Sequence, residues 1–156
     1  MIAVIRIHGQ VKIKKDIVET LNRLRLRRKY ACVVLVKPKK EQLGMIKKVK
    51  DFVAFGEINK ESFEKLIEQR GKWNFPVHSE KSERREQLIN KKKKIDAKEV
   101  VKELEAGKKY EELNLKPFFR LHPPRKGIDS KKHFGVKKGV LGNNKEKINE
   151  LIGRML

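Results

Sequence analysis

The sequence has almost none of the residues from which small proteins build covalent or metallic supports. Cys32 is its one cysteine, so no intramolecular disulfide can form, and a lone thiolate cannot complete a cysteine zinc site. That usage fits a reducing, cytoplasmic setting, with Cys32 as a small buried apolar residue. Aromatic residues make up 6% of the chain, and the first two apolar runs contain none. A sheet that stacks bases in the manner of an RNA-recognition motif is therefore not expected. Ile2-Ala3-Val4-Ile5 is cut short by Arg6, and no other apolar run is long enough for a bilayer, so neither a membrane partner nor a leader is expected. Motifs of catalysis are missing too. There is no phosphate loop ending in Gly-Lys-Ser/Thr, no Gly-x-Gly-x-x-Gly and no His-Glu-x-x-His. His8, His78, His122 and His133 are scattered. The chain reads as a non-enzyme with no metal, no cofactor and no small-molecule substrate. An RNA-cleaving or RNA-modifying enzyme using His122 or His133 as general base lacks a second catalytic group.

What the 156 residues hold in excess is positive charge: 41 lysines and arginines against 20 acidic residues, a formal +21. So small a chain repels itself unless a polyanion is present, which points to nucleic acid. The excess is unevenly spread. Residues 1–60 hold 16 basic and 5 acidic residues, residues 61–115 hold 14 and 12, and residues 116–156 hold 11 and 3. The flanks read as polyanion-facing parts. The near-neutral middle alternates its charges as solvated helix faces do.

Apolar spacing gives the elements. Ile2–Ile7, Ala31–Val36 and Val53–Ile58 read as strands, and the unbroken run of the second suggests cover on both faces. Asp16 with Glu19 suggests a capping box before a helix carrying Ile17, Leu21 and Leu24; Leu43, Ile46 and Val49 mark a second helix. The order β-α-β-α-β over 1–60 is that of a small two-layer α+β sandwich, a sheet with helices on one face. In the middle, Phe63, Leu66 and Ile67 before Gly71, and Asp96 to Leu104 before Gly107, read as two capped helices. Between them Ser79–Lys94 reads as an exposed charged loop or helix. Phe118–Leu121 reads as a strand, His122–Gly127 with its two prolines as loop, and Ile148–Met155 as a closing amphipathic helix. Gly135, Gly139 and Gly142 in the basic stretch Lys131–Gly142 suggest close backbone approach to a partner.

The candidate RNA contacts lie where few acids interrupt the cations. They are Arg23, Arg25, Arg27, Arg28 and Lys29 at the end of the first helix, and Lys47 and Lys48 on the second. Arg120, His122, Arg125 and Lys126 follow around the proline loop, and Lys131, Lys132, His133, Lys137 and Lys138 come last. Phosphate contact and RNA shape, rather than base stacking, fit this set.

Thr20–Arg28, Gly44–Val49, Asp51–Glu57 and Leu121–Gly127 together resemble the L-thirty family of large-subunit ribosomal proteins. The first sixty residues are similar to the compact core of its short bacterial members, and Leu121-His122-Pro123-Pro124-Arg125 with the middle insertion to the longer archaeal and eukaryotic form. The resemblance implies a ferredoxin-like core, a helical insertion over 61–115 and a basic C-terminal extension over 116–156. It implies a structural role on large-subunit ribosomal RNA, near the 5S RNA region and among other ribosomal proteins. A start directly before the first strand resembles archaeal members. The competing expectation is a free RNA-binding regulator or chaperone with the same core.

Overall fold

The computed structural model describes residues 1–73, 96–128, 130–136 and 139–156. The Ser79–Lys94 segment, Lys137 and Lys138 lie outside the described residues. Three five-residue strands, β1 (Ile2–Arg6), β2 (Ala31–Leu35) and β3 (Val53–Glu57), form where the sequence places apolar residues in strand-length runs. β1 is central and antiparallel to both neighbours, with Val4 opposite Val33 on one side and Phe55 on the other. Period-two alternation then sorts the side chains. Val4, Val33, Val53 and Phe55 share one face, and Ala3, Ile5, Cys32, Val34 and Ala54 the other.

The first face carries α1 (Lys15–Arg23) and α2 (Lys40–Lys48), which bury Leu21, Leu24, Ile46 and Val49 against it. This is the two-layer unit expected of 1–60. The second face is covered as well, by α3 (Lys60–Arg70), α4 (Ala97–Ala106) and α5 (Ile148–Met155). Phe63, Leu66, Val101, Leu104, Ile148 and Ile152 supply that cover, each worth ~1.5–3 kcal/mol when withdrawn from water. The molecule therefore has three layers, and the continuous apolar run of β2 reflects burial on both sides.

Residues after 115 extend the sheet at both ends. β4 (Phe119–Arg120) pairs antiparallel with β2, Ala31 opposite Arg120 and Cys32 opposite Phe119. β6 (Gly139–Asn143) runs parallel to β3, and β5 (Ser130–His133) lies outside β6, giving the order β4-β2-β1-β3-β6-β5. Of the glycines in Lys131–Gly142, Gly139 does something other than expected. A Cβ on Gly139 would stand 2.3 Å from the carbonyl oxygens of Lys132 and His133, so its close approach is to its own chain. Gly56 of β3 is similar: a Cβ there would lie 2.2 Å from the Lys145 carbonyl oxygen, in the short 3-10 turn Lys145–Lys147 before α5.

The expected caps differ in detail. Lys14 occupies the N-cap of α1 and Asp16 lies inside the first turn, so no Asp16–Glu19 capping box forms. There Asp16 accepts a 2.8 Å bond from the Ile17 N–H and faces the positive end of the helix dipole. Asp96 is the N-cap of α4 without a side-chain capping bond, and Gly107 closes that helix in the left-handed conformation.

Candidate nucleic-acid interface

The chain leaves α1 through a Schellman turn with an arginine where glycine is usual. The Leu26 N–H donates to Leu21 O (2.8 Å) and the Arg25 N–H to Asn22 O (2.9 Å), while Arg25 adopts φ 61°. That turn explains the two leucines spaced two apart. Leu24 and Leu26 both point into the core, and Arg25 between them is directed outward. A non-glycine residue in that conformation costs about 1 kcal/mol, so the position favours a cationic side chain over local backbone comfort.

Arg27, Arg28 and Lys29 follow, all exposed, and Tyr30 (φ 62°) turns the chain into β2. The β2–β4 pairing and a 3.0 Å bond from the Leu121 N–H to Tyr30 O bring Arg120 beside this loop. The result is a groove of about 580 Å³ lined by Arg25, Arg27, Arg28, Lys29, Tyr30, Ala31, Phe118, Arg120 and Leu121, with no acidic residue among them. Arg25 is engaged from outside by Glu111 at 3.2 Å, and the Lys29 ammonium lies 4.6 Å from the centre of the Tyr30 ring. Four guanidinium groups so placed suit bidentate phosphate contact.

Beneath the loop is a residue that charge counting missed. Arg6 is 1% exposed and, among the described residues, has no carboxylate partner. Its Nη1 donates to Leu26 O (2.8 Å) and Arg27 O (2.9 Å), its Nε to His8 O (3.0 Å) and its Nη2 to Gly9 O (2.9 Å). Burial pulls its pKa down, but a guanidinium starts so high that it stays charged at neutral pH. One buried cation thus ties the β1 exit to the basic loop. The signal in the sequence was a charge at the inward end of an apolar strand.

The other candidates are apart from this groove. Arg23 lies 2.6 Å from Glu19 one turn back on α1, and Lys48 of α2 lies 3.4 Å from Asp16 of α1, on an exposed surface that also carries Lys47. His122, Arg125 and Lys126 project from the proline loop. Its backbone is pinned to the end of α5: the His122 N–H donates to Met155 O (3.0 Å) and the Arg125 N–H to Arg154 O (2.8 Å), while Arg154 donates back to Arg125 O. Lys131, Lys132 and His133 are on β5, five strand spacings or ~24 Å from β4. His133 Nε2 is 3.0 Å from Asp51 Oδ1. His122 and His133 are therefore at opposite edges of the sheet and cannot share a reaction centre.

Fold and charge together define a class: a basic α+β protein that carries exposed cations on the loop after α1 and at both edges of its sheet. Residues 2–53 match the family model described as Ribosomal protein L30p/L7e. The chain is 40% identical to the large ribosomal subunit protein uL30 of Methanococcus maripaludis over 161 positions, covering 99% of this chain and 98% of that one. It is 39% identical to the uL30 of Nanoarchaeum equitans and 41% to that of Desulfurococcus amylolyticus, at 99% and 97% coverage in each case. The chain belongs to the L30p/L7e family of ribosomal proteins.

Proposed function

We propose that the chain is a structural, non-enzymatic constituent of the large ribosomal subunit in the cytoplasm, held there by large-subunit ribosomal RNA and neighbouring ribosomal proteins. Family membership over nearly the whole chain supports this role. The observation that carries the RNA contact is the acid-free groove joining Arg25–Lys29 to Arg120. Its guanidinium groups bind phosphates of closely packed RNA strands, and the exposed cations of the proline loop and β5 add contacts on either side. Segments 1–60 and 116–156 face RNA, and the near-neutral 61–115 supplies cover for the sheet. Placement near the 5S RNA region is the finer part of the proposal.

Sucrose-gradient sedimentation of a lysate tests the assembly. The protein is expected with large subunits at moderate salt, and recovery only in a free pool would favour a regulator or chaperone instead. Arg27→Gln, Arg28→Gln and Arg120→Gln test the groove. Each is expected to lower the slope of log affinity against log salt by ~1 on purified large-subunit RNA. Unchanged slopes in all three would remove the groove from the interface. Footprinting of 5S RNA in subunits with and without the protein tests the finer placement.

A further inference from the structure

Sequence reasoning passed over Phe134, which is one of three large apolar residues exposed among the described residues, at 36%, with Val136 at 51% and Val11 at 78%. It stands just past β5, at the sheet edge away from the arginine groove. The ring is not a loose side chain on a free loop. The Phe134 N–H donates to Leu141 O at 2.7 Å, the Val136 N–H to His133 O at 3.0 Å, and Gly135 turns the chain at φ 90°. Its backbone is therefore fixed on the sheet, and the ring is held out. The Lys147 ammonium lies 5.5 Å from the ring centroid, within cation–π range. Beside the ring is a shallow cleft of about 330 Å³, bounded by Gly127, Ile128, Val140, Lys147 and Arg154, with the carboxylate residue Glu150 also in its lining.

A phenylalanine left 36% exposed forgoes part of the stabilisation that full burial would bring. Lys131 and Lys132 are exposed next to it, and the nearby Asp51 is taken up by His133. A ring flanked by Lys131, Lys132 and Lys147, which outnumber Glu150 beside it, and a cleft too small for a helix suit a nucleobase out of its stack with phosphates on either side. The same lysines repel a basic protein segment.

We propose that Phe134 is a stacking platform for a single unpaired RNA base, with Lys131 and Lys132 holding the adjoining phosphates and Lys147 steadying the ring. This rests on the RNA-binding reading and adds to it a second, single-stranded contact ~24 Å across the sheet from the arginine groove. The RNA that fits must place an extruded base at that distance from a phosphate-lined helix.

The test is binding of the full-length chain to purified large-subunit ribosomal RNA at fixed moderate salt. Phe134→Leu keeps bulk and apolarity but removes the π-face, whereas Phe134→Tyr keeps it. Stacking predicts that the leucine variant weakens binding about 5-fold to 150-fold, that the tyrosine variant stays within ~3-fold of wild type, and that neither changes the salt slope. Leucine binding as well as tyrosine would overturn the proposal, since an apolar contact without stacking would then suffice. As an independent readout, Phe134→Trp in a Trp73→Phe background is expected to lose fluorescence on RNA binding as the indole stacks. Unquenched emission on bound RNA would count against it equally. A wild-type chain that fails to bind ribosomal RNA overturns the RNA-binding reading and this one with it; intact binding indifferent to leucine overturns this one alone.

Discussion

Replacing Arg6 by methionine isolates the brace beneath the basic loop. Methionine has a comparable unbranched stem, so apolar packing is largely kept while all four donated bonds are lost. The carbonyls of His8, Gly9, Leu26 and Arg27 then lack their partner, at ~1 kcal/mol each for partly buried groups and more for the buried bond to Leu26. The expected loss of stability is about 3–5 kcal/mol, or a Tm lower by roughly 6–20 °C for a chain of this size. Arg6→Lys recovers only part of it, because one ammonium cannot span four acceptors on two segments. Guanidinium unfolding measures the loss. Hydrogen exchange at Leu26, Tyr30 and Ala31 reports whether the basic loop loosens before the sheet. Stability of Arg6→Met within 1 kcal/mol of wild type, with unchanged exchange in the loop, would refute the idea that the guanidinium holds the loop in place.

Arg25→Gly relieves the left-handed strain at the end of α1 and is expected to be more stable than Arg25→Ala by about 1 kcal/mol, while both bind RNA more weakly than wild type. Equal stability of the two would mean that the turn is not strained; thermal unfolding and filter binding decide. Cys32 is buried, and burial pushes its thiol up to about 12. An unfolded thiol ionises near ~8.5, so this contribution to stability is complete below that pH and fades toward the folded value by ~1.4 kcal/mol per pH unit. Cys32→Ala is expected to flatten that part of the alkaline unfolding curve, and native protein should resist alkylation at mildly alkaline pH. Rapid adduct formation without unfolding would place the thiol outside the core.

The strands β1 to β3, the helices and the proline loop were legible because burial imposes a period that the sequence cannot hide. Val4 against Ile5, or Leu66 with Ile67, betray their faces by spacing alone. Where spacing failed, the cause was a contact between distant segments. β5 and β6 carry too few apolar residues to announce themselves, and Gly139 looks like a flexible loop residue until the Lys132 and His133 carbonyls are seen against it. Sheet order was likewise open, since it is set by pairings between distant segments: β1 with β2 and β3, β4 on β2 and β6 on β3. At the candidate interface, charge identified Arg25–Lys29 and Arg120 but not that β-pairing makes them neighbours. It also treated Arg120–Lys138 as one basic stretch, whereas the sheet puts Arg120 on one edge strand and Lys131 and Lys132 on the other. Arg6 and Phe134 escaped for opposite reasons: a charge that goes inside and an aromatic ring that stays out.

Both edges of the three-stranded centre are closed by segments from the last third of the chain, β4 on one side and β6 on the other. While such a chain is being made, β2 has an unpaired backbone edge until β4 has emerged and β3 until β6 has, and the Ala3–Ile5 face awaits α5. Exposed strand edges invite pairing with other chains, and contacts between distant segments form slowly. The interval between the first strand and the last is therefore a window of vulnerability for a nascent polypeptide. Prompt occupation by a polyanion would shorten its consequences, drawing the like-charged flanks together around the sheet that neither can complete alone.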